Sequence, residues 1–154
     1  MELLYQSHML HHNLHIEILD LVSTQRSKAK KIEILQEYRD PSLVSVLIWN
    51  FDETVVSVIP EGEVPYNPNE VPVGTDHTSL RREYKNLYHF VQGGNTPLST
   101  IRRETMFIQM LEGLHPREAE ILCLIKDKKL TTKYKLTYEV VKEAYSDIQW
   151  GGRS

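Results

Sequence analysis

The 154-residue chain is poor in the features that usually assign a protein quickly. It has one cysteine, Cys123, so no internal disulfide can form and nothing points to an oxidising compartment. Its longest uninterrupted apolar run is Ile121 to Ile125, far short of the roughly 20 apolar residues a membrane span needs. No basic stretch followed by an apolar core opens it, so no secretory signal is expected. Neither sign of charge dominates. The net charge of −3 removes any global pull toward nucleic acid or an anionic membrane. Gly-x-Ser-x-Gly, His-Glu-x-x-His and Cys-x-x-Cys are missing, and with them the common hydrolase and metal signatures. No internal repeat occurs at a solenoid period.

What remains is soluble globular material, 40% hydrophobic and 25% charged, enough to bury one core. The expected fold is mostly α. It is a single compact helical domain over residues 1–154 with about six or seven helices. A long proline-rich ordered loop at 52–77 and a frayed tail at 150–154 complete it. Leu10, Leu14, Ile18 and Leu21 give a first helix over 1–24. Ser27 caps a second, to Tyr38, with Ile32 and Leu35 on its buried stripe. Asp40-Pro41 opens a third, to about Asn50, so apolar all round that it belongs near the centre. A fourth is expected over 78–92, ended by Gly93. Thr96-Pro97 opens a fifth, to about Leu114, and His115-Pro116 a sixth, to Ile125. Thr137 caps a last one, to about Ile148. Between them, Val55, Val56, Val58 and Ile59 suit a short extended piece. The stretch from Pro60 to Gly74 holds four of the seven prolines and reads as a strap pinned by Val64, Tyr66 and Val71.

Several phrases occur together in order: Phe51-Asp52, Pro60-Glu61-Gly62 with Pro65-Tyr66, and Leu87 to Asn95 (LYHFVQGGN). Arg102-Arg103-Glu104, Phe107 to Pro116 (FIQMLEGLHP) and Lys126-Asp127-Lys128-Lys129-Leu130 follow. As a set, covering about residues 28–148, they make the chain resemble an uncharacterised family of small proteins of T4-like tailed phages, notably those of marine cyanobacteria. The resemblance carries no assigned activity and no catalytic residues. It implies a setting, the host cytoplasm or the virion.

Candidate chemistry is sparse. His8, His11, His12 and His15 are spaced to share one side of a helix and form the one candidate metal cluster, although a polar face that merely uses histidine is the commoner case. Glu83-Tyr84-Lys85 with Asp76 touches the Asp…Glu-x-Lys pattern of metal-dependent nucleases, but that pattern needs a strand where a helix is expected. Gly93-Gly94-Asn95-Thr96 ahead of Arg102 and Arg103 suggests a phosphate cradle, against the simpler reading of a turn between helices. Basic groups gather at Lys28/Lys30/Lys31, Arg81/Arg82/Lys85, Arg102/Arg103 and Lys126 to Lys135. Tyr134 and Tyr138 are available to stack on bases. Lys126, Lys128, Lys129, Lys133 and Lys135 are expected to be exposed because they interrupt the apolar pattern. Cys123 sits among apolar residues as a packing cysteine.

Three classes of function follow. The first is a non-enzymatic phage accessory protein that binds a host or phage macromolecule, with a protein partner expected and no cofactor. The second is a nucleic-acid-binding factor using Arg102, Arg103 and the Lys126–Lys135 segment. A small metal- or phosphate-dependent enzyme is the third, for which only the weak triplets speak.

Overall fold

Side-chain caps set most of the helix starts. In a computed structural model, which describes residues 14–70 and 77–152, seven α-helices fold with two 3-10 turns. The helices are α1 (Leu14–Thr24), α2 (Lys28–Glu37), α3 (Pro41–Phe51), α4 (Leu80–Glu83), α5 (Thr100–Gly113), α6 (Pro116–Lys126) and α7 (Tyr138–Ala144). The 3-10 segments are Tyr84–Phe90 and Leu130–Thr132. Ser27 accepts from Lys30 N, Asp40 from Ser42 N, His115 from Arg117 N and Thr137 from Val140 N, each filling an orphan amide of a first turn. Pro41 and Pro116 occupy first-turn positions that have no amide to lose.

Three elements differ from the sequence expectation. Residues 78–92 form one α-turn that tightens into the 3-10 segment instead of a full helix. The reason is tertiary. Phe90 O accepts from Val58 N at 2.9 Å and Val56 O from Gln92 N at 2.7 Å, so residues 90–92 run extended beside 56–58. The fifth helix starts at Thr100, capped by Ser99 rather than Thr96. Gly93 does take the expected left-handed conformation, with φ 83°. The last helix ends at Ala144, four residues early. Among the described residues there is no strand, only two isolated bridges, Ser57 with Val91 and Thr78 with Leu114.

The core is continuous. Leu43, Val46 and Leu47 of α3 are fully buried, as are Leu35 of α2, Leu111 of α5 and Ile121, Leu122 and Ile125 of α6. α3 lies against α6, α2 against α7, and α1 against α2. Phe90 and Phe107 meet edge to face at 5.1 Å, both fully buried. On α1 the buried stripe is His15, Ile18, Leu19 and Val22, a histidine taking the place of an apolar residue at helical spacing. α7 is fastened to α2 by Tyr145, whose hydroxyl donates to Leu35 O at 2.8 Å, and by paired bonds of Arg39 to Asp147 at 2.7 Å. Among the described residues, no helix is long and apolar enough to cross a membrane.

Candidate functional site

Two of the five lysines that the sequence leaves facing solvent, Lys126 and Lys128, are turned inward, while Lys129, Lys133 and Lys135 are exposed as expected. Lys126 is buried. Its ammonium donates to Pro60 O at 2.8 Å, Gly62 O at 3.1 Å and Asp127 Oδ1 at 2.5 Å, tying the strap to the end of α6. Lys128, half-buried and with a positive φ of 57°, donates to Trp49 O at 2.5 Å and Asp52 O at 2.9 Å, closing the C-terminal end of α3. Both reverse the expectation of exposure. The physical cause is a surplus of carbonyls at the end of α3 and in the proline strap that backbone amides cannot reach. Lys133 pairs with Glu120, and Lys129 faces Glu61 at 3.7 Å. Tyr134 is buried as well, so its ring is closed to a base, while Tyr138 stays partly exposed against Trp150.

The arginines separate in the same way. Arg103 donates to His89 O at 2.9 Å, Asn95 O at 2.8 Å and Leu98 O at 3.0 Å, and Asn95 Nδ2 meets His89 Nδ1 at 2.8 Å. The Gly93–Leu98 segment is therefore a turn closed by the Arg103 guanidinium, which a phosphate cradle would need free. Arg102 is exposed. Cys123 is half-buried, and burial pushes its thiol up to about 11, well away from thiolate chemistry.

His8, His11 and His12 lie outside the described residues. His15 is fully buried and faces the core, not a wet helix face. Its Nδ1 stands 3.6 Å from Glu118 Oε2, too far for a hydrogen bond, and neither ring nitrogen has a hydrogen-bond partner. Burial lowers the imidazole to about 4, against an opposing pull from the Ser42 backbone and Asp40. Burial raises Glu118 to about 7, held back by Leu80 N, which donates to Oε1 at 3.3 Å. The pair is sealed from any substrate. No group of three His, Cys, Asp or Glu among the described residues is placed to hold a metal ion.

One part of the basic sequence does assemble. The short link after α1 and the first turns of α2 carry Arg26, Lys28 and Lys31. The segment from Thr131 to Val140 forms the facing wall and brings Lys135 beside them, around a groove of about 380 Å³. Its floor is apolar, from the buried Tyr134, Leu136 and Val140. Lys31 donates to Lys135 O, and Lys135 N to Ser23 Oγ at 3.0 Å, which fixes the two walls together. Lys28 is held by Glu139 at 2.7 Å and Glu143 at 3.1 Å, which raise its pKa. Arg26, Lys31 and Lys135 have no acid partner among the described residues. Burial, and then the Lys135 charge, push the Lys31 ammonium down. The first turn of α2 has no acidic residue at all, although carboxylates are favoured at a helix N-terminus and cations disfavoured.

In the sequence Lys28, Lys31 and Lys135 fall in two separate groups and Arg26 carries no local signal; only α2–α7 packing unites the four.

The chain belongs to DUF6433, a family of unknown function that matches residues 18–132. No curated protein and no solved structure matches the chain. The match begins earlier than the resemblance drawn from the motifs, taking in most of α1, and stops before α7.

Proposed function

We propose that the protein is a non-enzymatic accessory protein of a tailed phage that works by binding a host or phage macromolecule through the groove between α2 and the Thr131–Val140 segment. One observation carries the reading. Arg26, Lys31 and Lys135 converge without an acid partner among the described residues, and Lys31 does so near the N-terminal end of a helix, where the dipole opposes it. Like charges held together against local preference are the kind of conflict a fold keeps where function requires it. The partner offers carboxylates on a polypeptide. Glu139 and Glu143 stand at the groove on Lys28 and would repel a continuous polyanion laid across it. The second reading, a nucleic-acid factor built on Lys126–Lys135, has less support, because Lys126 and Lys128 are occupied within the fold.

The test compares wild type with an Arg26→Gln/Lys31→Gln/Lys135→Gln variant as bait in lysate of infected host, with and without nuclease. Polyglutamate and an oligonucleotide serve as defined probes. Nuclease-resistant capture and salt-sensitive polyglutamate binding, both lost in the variant, are the expected result. The variant's stability should fall by about 1 kcal/mol, the Lys31 bond to Lys135 O being lost while repulsion among the three charges is relieved. Nuclease-sensitive capture with tight oligonucleotide binding would favour the second reading. Equal binding by variant and wild type would refute the groove.

A further inference from the structure

A second cavity, about 400 Å³, opens between the α4/3-10 segment and α5. That is within the roughly 300–1,000 Å³ range of small-ligand pockets. Its chemistry is opposite to that of the groove. One wall is Glu83, half-buried. Its two oxygens are fixed by neutral donors, Thr78 Oγ1 to Oε1 at 2.9 Å and Asn86 Nδ2 to Oε2 at 3.2 Å. No cation pairs with it among the described residues. Its sequence neighbours Arg82 and Lys85 do not line the cavity, and Lys85 lies over the Tyr84 ring instead. The floor is the fully buried Phe90 with half-buried Met106 and Met110. The cavity thus combines one oriented, unneutralised carboxylate with an aromatic ring and two flexible, polarizable thioethers.

We infer that this cavity is a binding site for a cationic head on an aliphatic stem, the chemistry of an arginine or lysine side chain and of a free alkyl di- or polyamine. The carboxylate takes the guanidinium or ammonium. Phe90 backs an apolar floor, on which Met106 and Met110 adapt to the methylene stem. A neutral ligand of the same shape would gain the floor contacts and leave the carboxylate without a counter-charge. A carboxylate ligand would be repelled. The inference does not depend on the basic groove, which lies on different elements.

The methionine methyl groups give the readout. Wild-type protein with methyl-labelled methionine is titrated with a capped Gly-Arg-Gly peptide, with agmatine, and with a capped Gly-citrulline-Gly peptide as the neutral isostere. The Met106 and Met110 methyl resonances should move in a saturable way with the two cationic probes and at least about tenfold more weakly with citrulline. Tighter binding of the peptide identifies a polypeptide source, and tighter binding of agmatine a small amine. Either outcome supports the site. Glu83→Gln should weaken both cationic probes at least about tenfold while the remaining resonances keep their positions. Gln109→Lys, at an exposed position on the rim, should do the same by supplying an internal cation, and it leaves the Glu83 hydrogen bonds alone. The inference is overturned if the methyls do not respond to millimolar cation, if citrulline binds as well as arginine, or if both variants bind as wild type does.

Discussion

Lys126→Met is the most informative single change to the fold. It keeps the length of the stem and removes the charge. In the native protein the ammonium, with its side chain wholly buried, satisfies two strap carbonyls and one carboxylate oxygen. After the change, Pro60 O and Gly62 O belong to exposed residues and can turn to water. Asp127 is worse placed. Its side chain is only 11% exposed and would keep a single weak donor, Gly62 N at 3.2 Å. Breaking a buried pair from one side costs about 3–5 kcal/mol. The ability of the strap to rehydrate places this case near the lower end. For a chain of this length that is a Tm drop of roughly 6–12 °C. Urea unfolding followed by tryptophan fluorescence measures the first quantity and calorimetry the second. Limited proteolysis should show new cleavage within residues 60–70. Adding Asp127→Asn removes the stranded charge and should restore about half of the loss, a coupling that an unpaired surface lysine would not show. A loss below about 1 kcal/mol with unchanged proteolysis would refute the anchoring role and return Lys126 to the surface.

Leu47→Ala should cost about 2–5 kcal/mol in urea unfolding, since that side chain is fully buried at the centre of α3. Gly94→Ala should cost at least about 1–3 kcal/mol by the same assay, because a Cβ there would sit 1.9 Å from the Tyr88 carbonyl oxygen and backbone would have to move. Glu118→Gln tests the buried pair through pH. The folded-state pKa of Glu118, about 7, lies above the ordinary carboxyl value of 4.5, so its stabilising effect is complete below pH 4.5 and is lost as pH rises through 7. The variant should therefore gain about 3 kcal/mol relative to wild type between pH 4.5 and 7, at about 1.36 kcal/mol per unit. His15 runs the other way, from 6.5 to about 4, with its effect complete above 6.5 and lost as pH falls toward 4. It remains in both proteins and cancels from the difference. A stability difference that does not change with pH would show that Glu118 titrates normally.

Much of this architecture is legible from short-range chemistry. The caps at Ser27, Asp40-Pro41, His115-Pro116 and Thr137 are local, and each works as its residue type dictates. The failures are tertiary. Thr96-Pro97 is as good a start signal as Ser99, but a helix begun there would engage the Leu98 carbonyl that Arg103 requires. Leu80 and Leu87 have helical spacing and are both buried, yet pairing of residues 90–92 with 56–58 pulls the segment between them into a 3-10 turn. His15 reads as one of four histidines on a polar face. Only the closure of α4 and α6 over α1 shows that it occupies a core position. The lysines fail for a related reason. Charge is a reliable sign of exposure until a backbone nearby has carbonyls to spare.

The motif phrases and the groove therefore have different physical roles. Asp52, Pro60, Gly62, Lys126 and Lys128 converge on one hydrogen-bonded junction, and His89, Asn95 and Arg103 on a second. All of them fall within the matched residues 18–132. Their chemistry is that of holding a loop-rich helical domain together. The groove draws on Arg26, Lys31 and Lys135 instead. Lys135 and the carboxylates that flank it, Glu139 and Glu143, lie past residue 132. Substitutions in the two junctions should lower stability first and binding only as a consequence. Substitutions in the groove should shift the unfolding curve by no more than about 1 kcal/mol and change the salt dependence of binding, because only Lys31 of its three cations holds a carbonyl, that of the exposed Lys135. A groove variant that unfolds as readily as Lys126→Met would show that Arg26, Lys31 and Lys135 are a third junction, and the proposed partner would lose its site.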